Sequence, residues 1–204
     1  DMPVVLTAAV YQLTKDKNLT ADPNNSSFSI QTGEIRSRGI ELEAKAAVNA
    51  NVNVTASYTY TDSRRRSDGV TYPFEYDVPH DFNAFVSYDV VKRPGRKHTF
   101  SLNVAWRSGL PYRLTNESYP DTDGNPIIGI TAYPTMRMHN YFRADVSYNM
   151  ERRKRNGVRN WQFSIINATW HKNPVSIYPY RGSYKATVLI PIMPSVSYTR
   201  TFGK

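Results

Sequence analysis

The sequence predicts an all-β protein: a transmembrane, antiparallel, up-and-down β-barrel of about eight strands. Three observations carry that reading. Several segments alternate apolar and polar residues almost without fault. Short and long connections between them alternate strictly. The composition is rich in aromatic residues yet poor in apolar residues as a whole, with 15 Tyr, 8 Phe and 3 Trp in a chain only 40% hydrophobic. A barrel wall needs one apolar face per strand and aromatic girdles at its two rims, which yields this mixture.

The elements follow in order. A first strand spans about 3–14, and residues 34–48 set Ile40, Leu42, Ala44 and Ala46 against Glu41, Glu43 and Lys45. Residues 51–61, "NVNVTASYTYT", place Val52, Val54, Ala56, Tyr58 and Tyr60 on one face and Asn53, Thr55, Ser57 and Thr59 on the other. The pattern recurs with Phe82, Ala84, Val86, Tyr88 and Val90, where Phe85 is the exception among Asp81, Asn83, Ser87 and Asp89. Phe100, Leu102, Val104 and Trp106 oppose Ser101, Asn103 and Arg107. Phe142, Ala144, Val146, Tyr148 and Met150 oppose Arg143, Asp145, Ser147 and Asn149, and Trp161, Phe163 and Ile165 oppose Gln162 and Ser164. A last strand spans about 185–202, with Val196, Tyr198, Arg200 and Phe202 on one face and Ser197, Thr199 and Thr201 on the other. The apolar sets are expected to face outward and the polar sets inward, all-or-none for each strand.

Short joints fall at "NAN" (49–51), "KRPG" (92–95) and "RRKRNG" (152–157), and long ones at about 15–33, 63–78, 108–136 and 171–184. A soluble sandwich alternates in hydrophobicity too, but nothing in it requires every second loop to be long. Both termini then lie on the short-turn side.

Composition excludes several classes. With no cysteine, neither a disulfide framework nor a thiolate metal site is available. No apolar run reaches the ~18 residues of a membrane-spanning helix. The net charge of +9 suits an anionic partner. Yet the basic clusters at Arg64–Arg66, Lys92–Lys97 and Arg152–Arg155 fall in separate turns at both ends of the wall, which favours solvent and lipid headgroups over nucleic acid. The Arg64–Arg66 triplet, on the long-loop side, could also meet lipopolysaccharide phosphates or an anionic ligand. "DTDGN" (121–125) begins like a calcium loop, but Gly124 is fourth rather than sixth, so it reads as a turn. His80, His98, His139 and His171 lack metal-ligand spacing. Glu41 and Glu43 beside Lys45 read as a lumen charge network rather than a catalytic carboxylate pair. The expectation is therefore no enzyme, no metal and no cofactor.

The stretch "VYQLTKDKNLTADP...FSIQTGEIRSRGIELEAKAAVNANVNVTASYTYTDS" (10–63) resembles the C-terminal barrel of TonB-dependent siderophore receptors. Residues 69–204 resemble the same family's barrel end in Bacteroidetes, through "GVTYPFEYDVPHDFNAFVSY", "FSLNVAWRSGLPY", "MRMHNYFRADVSYNM", "WQFSIINATWHKNPVSIY" and "PIMPSVSYTRTF". The resemblance implies a bacterial outer-membrane location and uptake of a ferric siderophore or similar nutrient. It makes residues 1–204 a C-terminal portion of a larger barrel, with no plug domain present, so plug and TonB enter only through an N-terminal part. It also implies that the last strand carries a membrane-insertion signal, here Tyr198 and Phe202. The alternative is a self-contained small outer-membrane barrel with a structural or adhesion role.

Ligand-facing candidates lie on the long-loop side: Arg107, Tyr112, Arg113 and Tyr119, with Tyr72 and Tyr76. Aromatic rings beside guanidinium groups suit flat, anionic chelates through stacking and charge-assisted hydrogen bonds.

Overall fold

The computed structural model describes residues 3–21, 30–67, 69–113, 115–120, 126–130, 133–134, 136–180 and 183–203. In chain order the strands are β1 (Val4–Ala21), β2 (Ile30–Asn49), β3 (Val52–Ser67), β4 (Val70–Pro73), β5 (His80–Arg93) and β6 (Arg96–Arg107). Four short strands follow: β7 (Pro111–Tyr112), β8 (Thr115–Pro120), β9 (Pro126–Ile130) and β10 (Met136–Arg137). The chain ends with β11 (Tyr141–Lys154), β12 (Gly157–Ile166), β13 (Pro174–Tyr180), β14 (Ser183–Val188) and β15 (Met193–Phe202). One antiparallel sheet runs β1-β2-β3-β5-β6-β11-β12-β15, with β4 added to the outer end of β3. β7 pairs with β10, β8 with β9 and β13 with β14, all within the long connections. No helix among the described residues is long and apolar enough to cross a membrane, a fact that leaves strands free to do so.

Residues directly opposite one another in a sheet share a face, so the registers show what each face carries. Val4, Ala46, Val54, Val86, Leu102, Val146, Ile165 and Pro194 form one unbroken row across all eight wall strands. The row beside it on the other face is Ala47, Asn53, Ser87, Ser101, Ser147, Ser164 and Ser195. The expected outward and inward sets thus separate cleanly onto two faces. Phe85 remains the exception, on the polar face between Thr55 and Asn103.

Among the described residues nothing covers the apolar face. Leu6 is 76% exposed, Val10 81% and Val196 63%, and the rows between them carry exposed Leu42, Phe82, Phe100, Leu102 and Phe163. A contiguous apolar surface of this extent requires a nonaqueous neighbour. Its two borders are aromatic. At the long-loop end lie Tyr58, Phe82, Trp106 and Phe142, followed by Tyr60 and His80. At the short-turn end lie Tyr88, Phe100, Tyr148 and Phe163, followed by His98, Trp161 and Tyr198. From Val90 to His80 on β5 is ten residue steps, about 34 Å along the strand. A tilt of about 40° reduces this to about 26 Å, close to the ~25 Å apolar band of an outer-membrane barrel. Each border holds a Tyr–His pair at 2.7 Å, Tyr58 Oη with His80 Nδ1 and Tyr148 Oη with His98 Nδ1, so the polar ends of the rings are satisfied beside lipid.

The turns explain themselves locally. Asn49 Oδ1 accepts from the backbone N–H of Asn51 (2.8 Å) and Val52 (2.9 Å), an Asx turn that closes β2 onto β3. Gly95, with φ 75°, closes β5 onto β6, because a left-handed residue costs little without a Cβ. Gly39 serves differently. Tyr11 lies opposite it and reaches across to Thr61, hydroxyl to hydroxyl at 2.7 Å, and a Cβ on Gly39 would fall 2.6 Å from the Tyr11 oxygen.

Three expectations need correction. The expected long loop 15–33 is strand at both ends: β1 runs to Ala21 and β2 starts at Ile30, with a register shift between Lys15 and Asn18, so the pair rises beyond the apolar band, while residues 22–29 lie outside the described residues. β3 likewise continues through the Arg triplet to Ser67, where β4 pairs with it, so the expected loop 63–78 is strand in its first part. The last strand, expected over 185–202, is two strands. β14 turns back on β13, and β15 starts only at Met193, after Pro191, which lacks the N–H that a continuous ladder needs. The alternative of a self-closed small barrel also fails, since among the described residues β1 pairs only with β2 and β15 only with β12.

Replacing Val146 with Arg near the middle of the apolar face should destabilise the barrel by roughly 2–4 kcal/mol, while Ser101→Arg on the polar face should cost less. Folding titrations into lipid vesicles measure both. Equal losses would mean that neither face meets lipid.

Candidate functional site

The long-loop end is organised around the inner face of β3. Ser63, Arg65 and Ser67 point to that face and are all buried. Ser63 touches Ser37 hydroxyl to hydroxyl at 2.8 Å, and its backbone N–H donates to Asp77 Oδ1 at 2.7 Å. Asp77 is held in a tight turn, its N–H donating to the Phe74 carbonyl at 2.9 Å, while the Phe74 N–H donates to the Ser63 carbonyl at 2.9 Å. The Arg137 guanidinium completes the arrangement by pairing with the Asp77 carboxylate and donating to the carbonyls of Asp77 (3.0 Å) and Gly109 (3.2 Å). One ion pair therefore joins three segments: 70–77, 107–113 and 136–140.

The sequence-predicted residues sit on this platform in different ways. Arg107 ends β6 on the polar face, exposed, with its guanidinium 4.4 Å over the Tyr141 ring. Arg113 pairs with Glu75 at 3.1 Å. Tyr72 is buried, opposite Arg65, and packs on Tyr133 with ring centroids 4.5 Å apart. Burial pushes its phenol above the ordinary tyrosine range. Tyr76 is 75% exposed and meets Phe74 edge-on at 5.4 Å. Tyr112 lies on β7 with its hydroxyl 3.6 Å from Met136 Sδ. Tyr119 lies on β8 opposite Ile127 in backbone register, and its side chain is outside the described residues. The Asp121–Asn125 turn is outside them too. Arg113 and Tyr72 thus come together near Glu75, whereas Tyr76 meets Phe74, Tyr112 meets Met136 and Arg107 meets Tyr141.

Alternation along β3 splits the Arg triplet. Arg65 faces inward, whereas Arg64 and Arg66 share the outer face with Arg36, Arg38, Glu34 and Asp62. These residues line a cavity of about 360 Å³ just beyond the Tyr60–His80 border. Arg38 and Arg64 both bind Asp62, at 3.1 and 2.9 Å, and Arg36 pairs with Glu34. On the inner face Glu43 pairs with Lys45 at 2.9 Å, in keeping with a lumen charge network.

Sequence reasoning missed Asp77, Arg137 and Asn173. Asn173 is 2% exposed and imitates a strand. Its Oδ1 accepts from the Phe142 N–H and its Nδ2 donates to the Phe142 carbonyl, both at 2.9 Å, where β12 no longer reaches β11. Asn167, in the left-handed region with φ 54°, turns the chain there, its N–H donating to Asp145 Oδ1 at 2.9 Å. Among the described residues no acidic, His or Cys group is arranged to hold a metal.

A two-faced antiparallel wall with aromatic borders, tight turns at one end and a built loop platform at the other defines a transmembrane β-barrel of the outer-membrane type. The sequence model of the TonB dependent receptor-like β-barrel matches residues 3–171, and the chain belongs to that family. Over 68 residues it is 60% identical to the ferrichrome outer membrane transporter/phage receptor of Escherichia coli (strain K12). That segment makes up 33% of this chain and 9% of the relative, so the chain spans only a small part of that protein's length. Its place is the bacterial outer membrane, in a family of receptors and transporters rather than enzymes.

Replacing Asp77 with Ala should loosen the platform while leaving the wall intact, at a cost of about 1–3 kcal/mol for the stranded Arg137 and Ser63 donors. Amide exchange should quicken in 70–77, 109–113 and 136–140 and stay unchanged in β5 and β6. Uniform quickening would show that the ion pair supports the whole sheet.

Proposed function

We propose that this chain forms wall, lumen lining and outer loops in the C-terminal part of a TonB-dependent receptor that imports a ferric siderophore or a similar scarce nutrient. Gating and energy coupling belong to the plug domain and TonB. The observation that carries the reading is the platform of Arg113, Glu75, Tyr72 and Tyr76, set at the long-loop end above a polar inner face. Family membership supports receptor chemistry, and the relative's printed function supports an iron chelate as the ligand class. Tyr76 offers an exposed ring for stacking, and Arg107 and Arg113 offer donor forks for an anionic chelate. On the outer face, Arg36, Arg38, Arg64 and Arg66 stand where lipopolysaccharide phosphates would lie. Val196, Tyr198 and Phe202 present the exposed apolar face of β15 to the insertion machinery.

Ligand affinity of the intact receptor, measured by direct binding, tests the platform. Arg113→Ala should weaken it by about 1–3 kcal/mol if the contact is desolvated, while Arg153→Ala at a short turn should leave it unchanged. Equal losses would assign the effect to net charge and remove the platform from recognition.

A further inference from the structure

At the short-turn end the registers align one residue type across four neighbouring strands. Arg96 on β6 lies opposite Arg152 on β11, Arg152 opposite Arg159 on β12, and Arg159 opposite Arg200 on β15. Arg93 continues the row on β5 across a register shift. Each of the four is two residues beyond His98, Met150, Trp161 or Tyr198, so the row belongs to the apolar face, immediately outside its aromatic border. Like charges directly opposite in a sheet repel and destabilise the pairing. The structure offers no internal answer to them. Among the described residues none of the four has an ion pair, and the nearby acids sit on the other face with partners of their own, Glu151 with Arg153 at 2.7 Å and Asp89 with Lys97 at 2.8 Å. Arg200 lies 4.4 Å over the Phe202 ring, which orients it without neutralising it. The local positive charge is strong enough to hold the Lys154 ammonium below its ordinary range, with Arg152 the largest contributor and Arg159 next.

An uncompensated cationic row at the edge of a hydrocarbon-facing surface is complementary to lipid phosphate. Three inter-strand gaps span about 14 Å. That is too wide for one phosphate, which bridges two neighbouring guanidinium groups, and suits two. We propose that this row is a binding site for an anionic phospholipid carrying two phosphates, of the diphosphatidylglycerol class, seated in the leaflet at the short-turn rim. The site rests on the membrane placement of the wall and is independent of what the receptor transports.

The test is native mass spectrometry of the intact receptor in detergent titrated with diphosphatidylglycerol, phosphatidylglycerol or phosphatidylcholine, with folding checked by heat-modifiable mobility. The wild type should retain diphosphatidylglycerol about tenfold or more over phosphatidylcholine. Joint Arg152→Gln and Arg159→Gln should abolish that preference, joint Arg152→Lys and Arg159→Lys should keep most of it, and Arg153→Gln, on the other face, should not change it. Equal retention of diphosphatidylglycerol and phosphatidylcholine, or equal loss from Arg153→Gln, would overturn the site. Phosphatidylglycerol held as tightly as diphosphatidylglycerol would overturn its two-phosphate character.

Discussion

The constraint on which the rest depends is that backbone N–H and C=O groups in hydrocarbon have no water to bond. Each must be paired within the protein, and only helices and closed sheets achieve this across a bilayer. Here the ladders from β2 to β12 pair on both sides and keep continuous register through the apolar band. Irregularities fall outside it: the shift between Lys15 and Asn18, the Ala47–Asn49 shift at a turn, and the Val91–Arg93 shift at another. Where β12 ends early, the Asn173 side chain takes over the role of a strand for Phe142. β1 and β15 carry the only unpaired wall edges in the described sheet, and in a bilayer those edges call for further strands.

Side-chain chemistry then follows height and face. Apolar and aromatic rows occupy the band on one side, and Ser, Thr and Asn rows occupy the other. Arginine appears on the apolar side only outside the two aromatic borders. The two rims differ in how they treat that charge. At the long-loop rim Arg36, Arg38 and Arg64 find Glu34 and Asp62. At the short-turn rim the four-arginine row has, among the described residues, no acidic residue on its face, and the proposed lipid phosphates would supply the balance.

How much of this was legible in the sequence depended on the range of the interaction involved. Alternation of period two is local, so β3, β5, β6, β11, β12 and the final turn of events from Val196 to Phe202 could be read directly, along with the side of each residue. The turns at Asn49, Gly95 and Gly157 were equally plain. Strand ends were not, because beyond the band both faces of β1, β2 and β3 are polar and alternation vanishes while pairing continues. The break before β15 was signalled by Pro191 but masked by the apolar run around it. Of the candidate site, Arg113, Tyr72 and Tyr76 were visible as an aromatic–arginine mixture. Asp77, Arg137 and Asn173 act through contacts 14 to 60 residues apart, from Ser63 to Asp77 and from Asp77 to Arg137, and no single-sequence pattern reports such pairs.

The central claim is that one face of this sheet meets hydrocarbon and the other does not. Since the chain contains no cysteine, single cysteines at Leu102, Val104 and Val146, and at Ser101, Asn103 and Ser147, can each carry a nitroxide in the reconstituted receptor. Collision rates with oxygen, which concentrates in the bilayer, and with a water-soluble nickel chelate should alternate along β6, oxygen dominating at Leu102 and Val104 and falling at Ser101 and Asn103. Val146 and Ser147 should repeat the contrast on β11. Oxygen accessibility that is equal at both sets, or higher at Ser101, Asn103 and Ser147, would contradict the account.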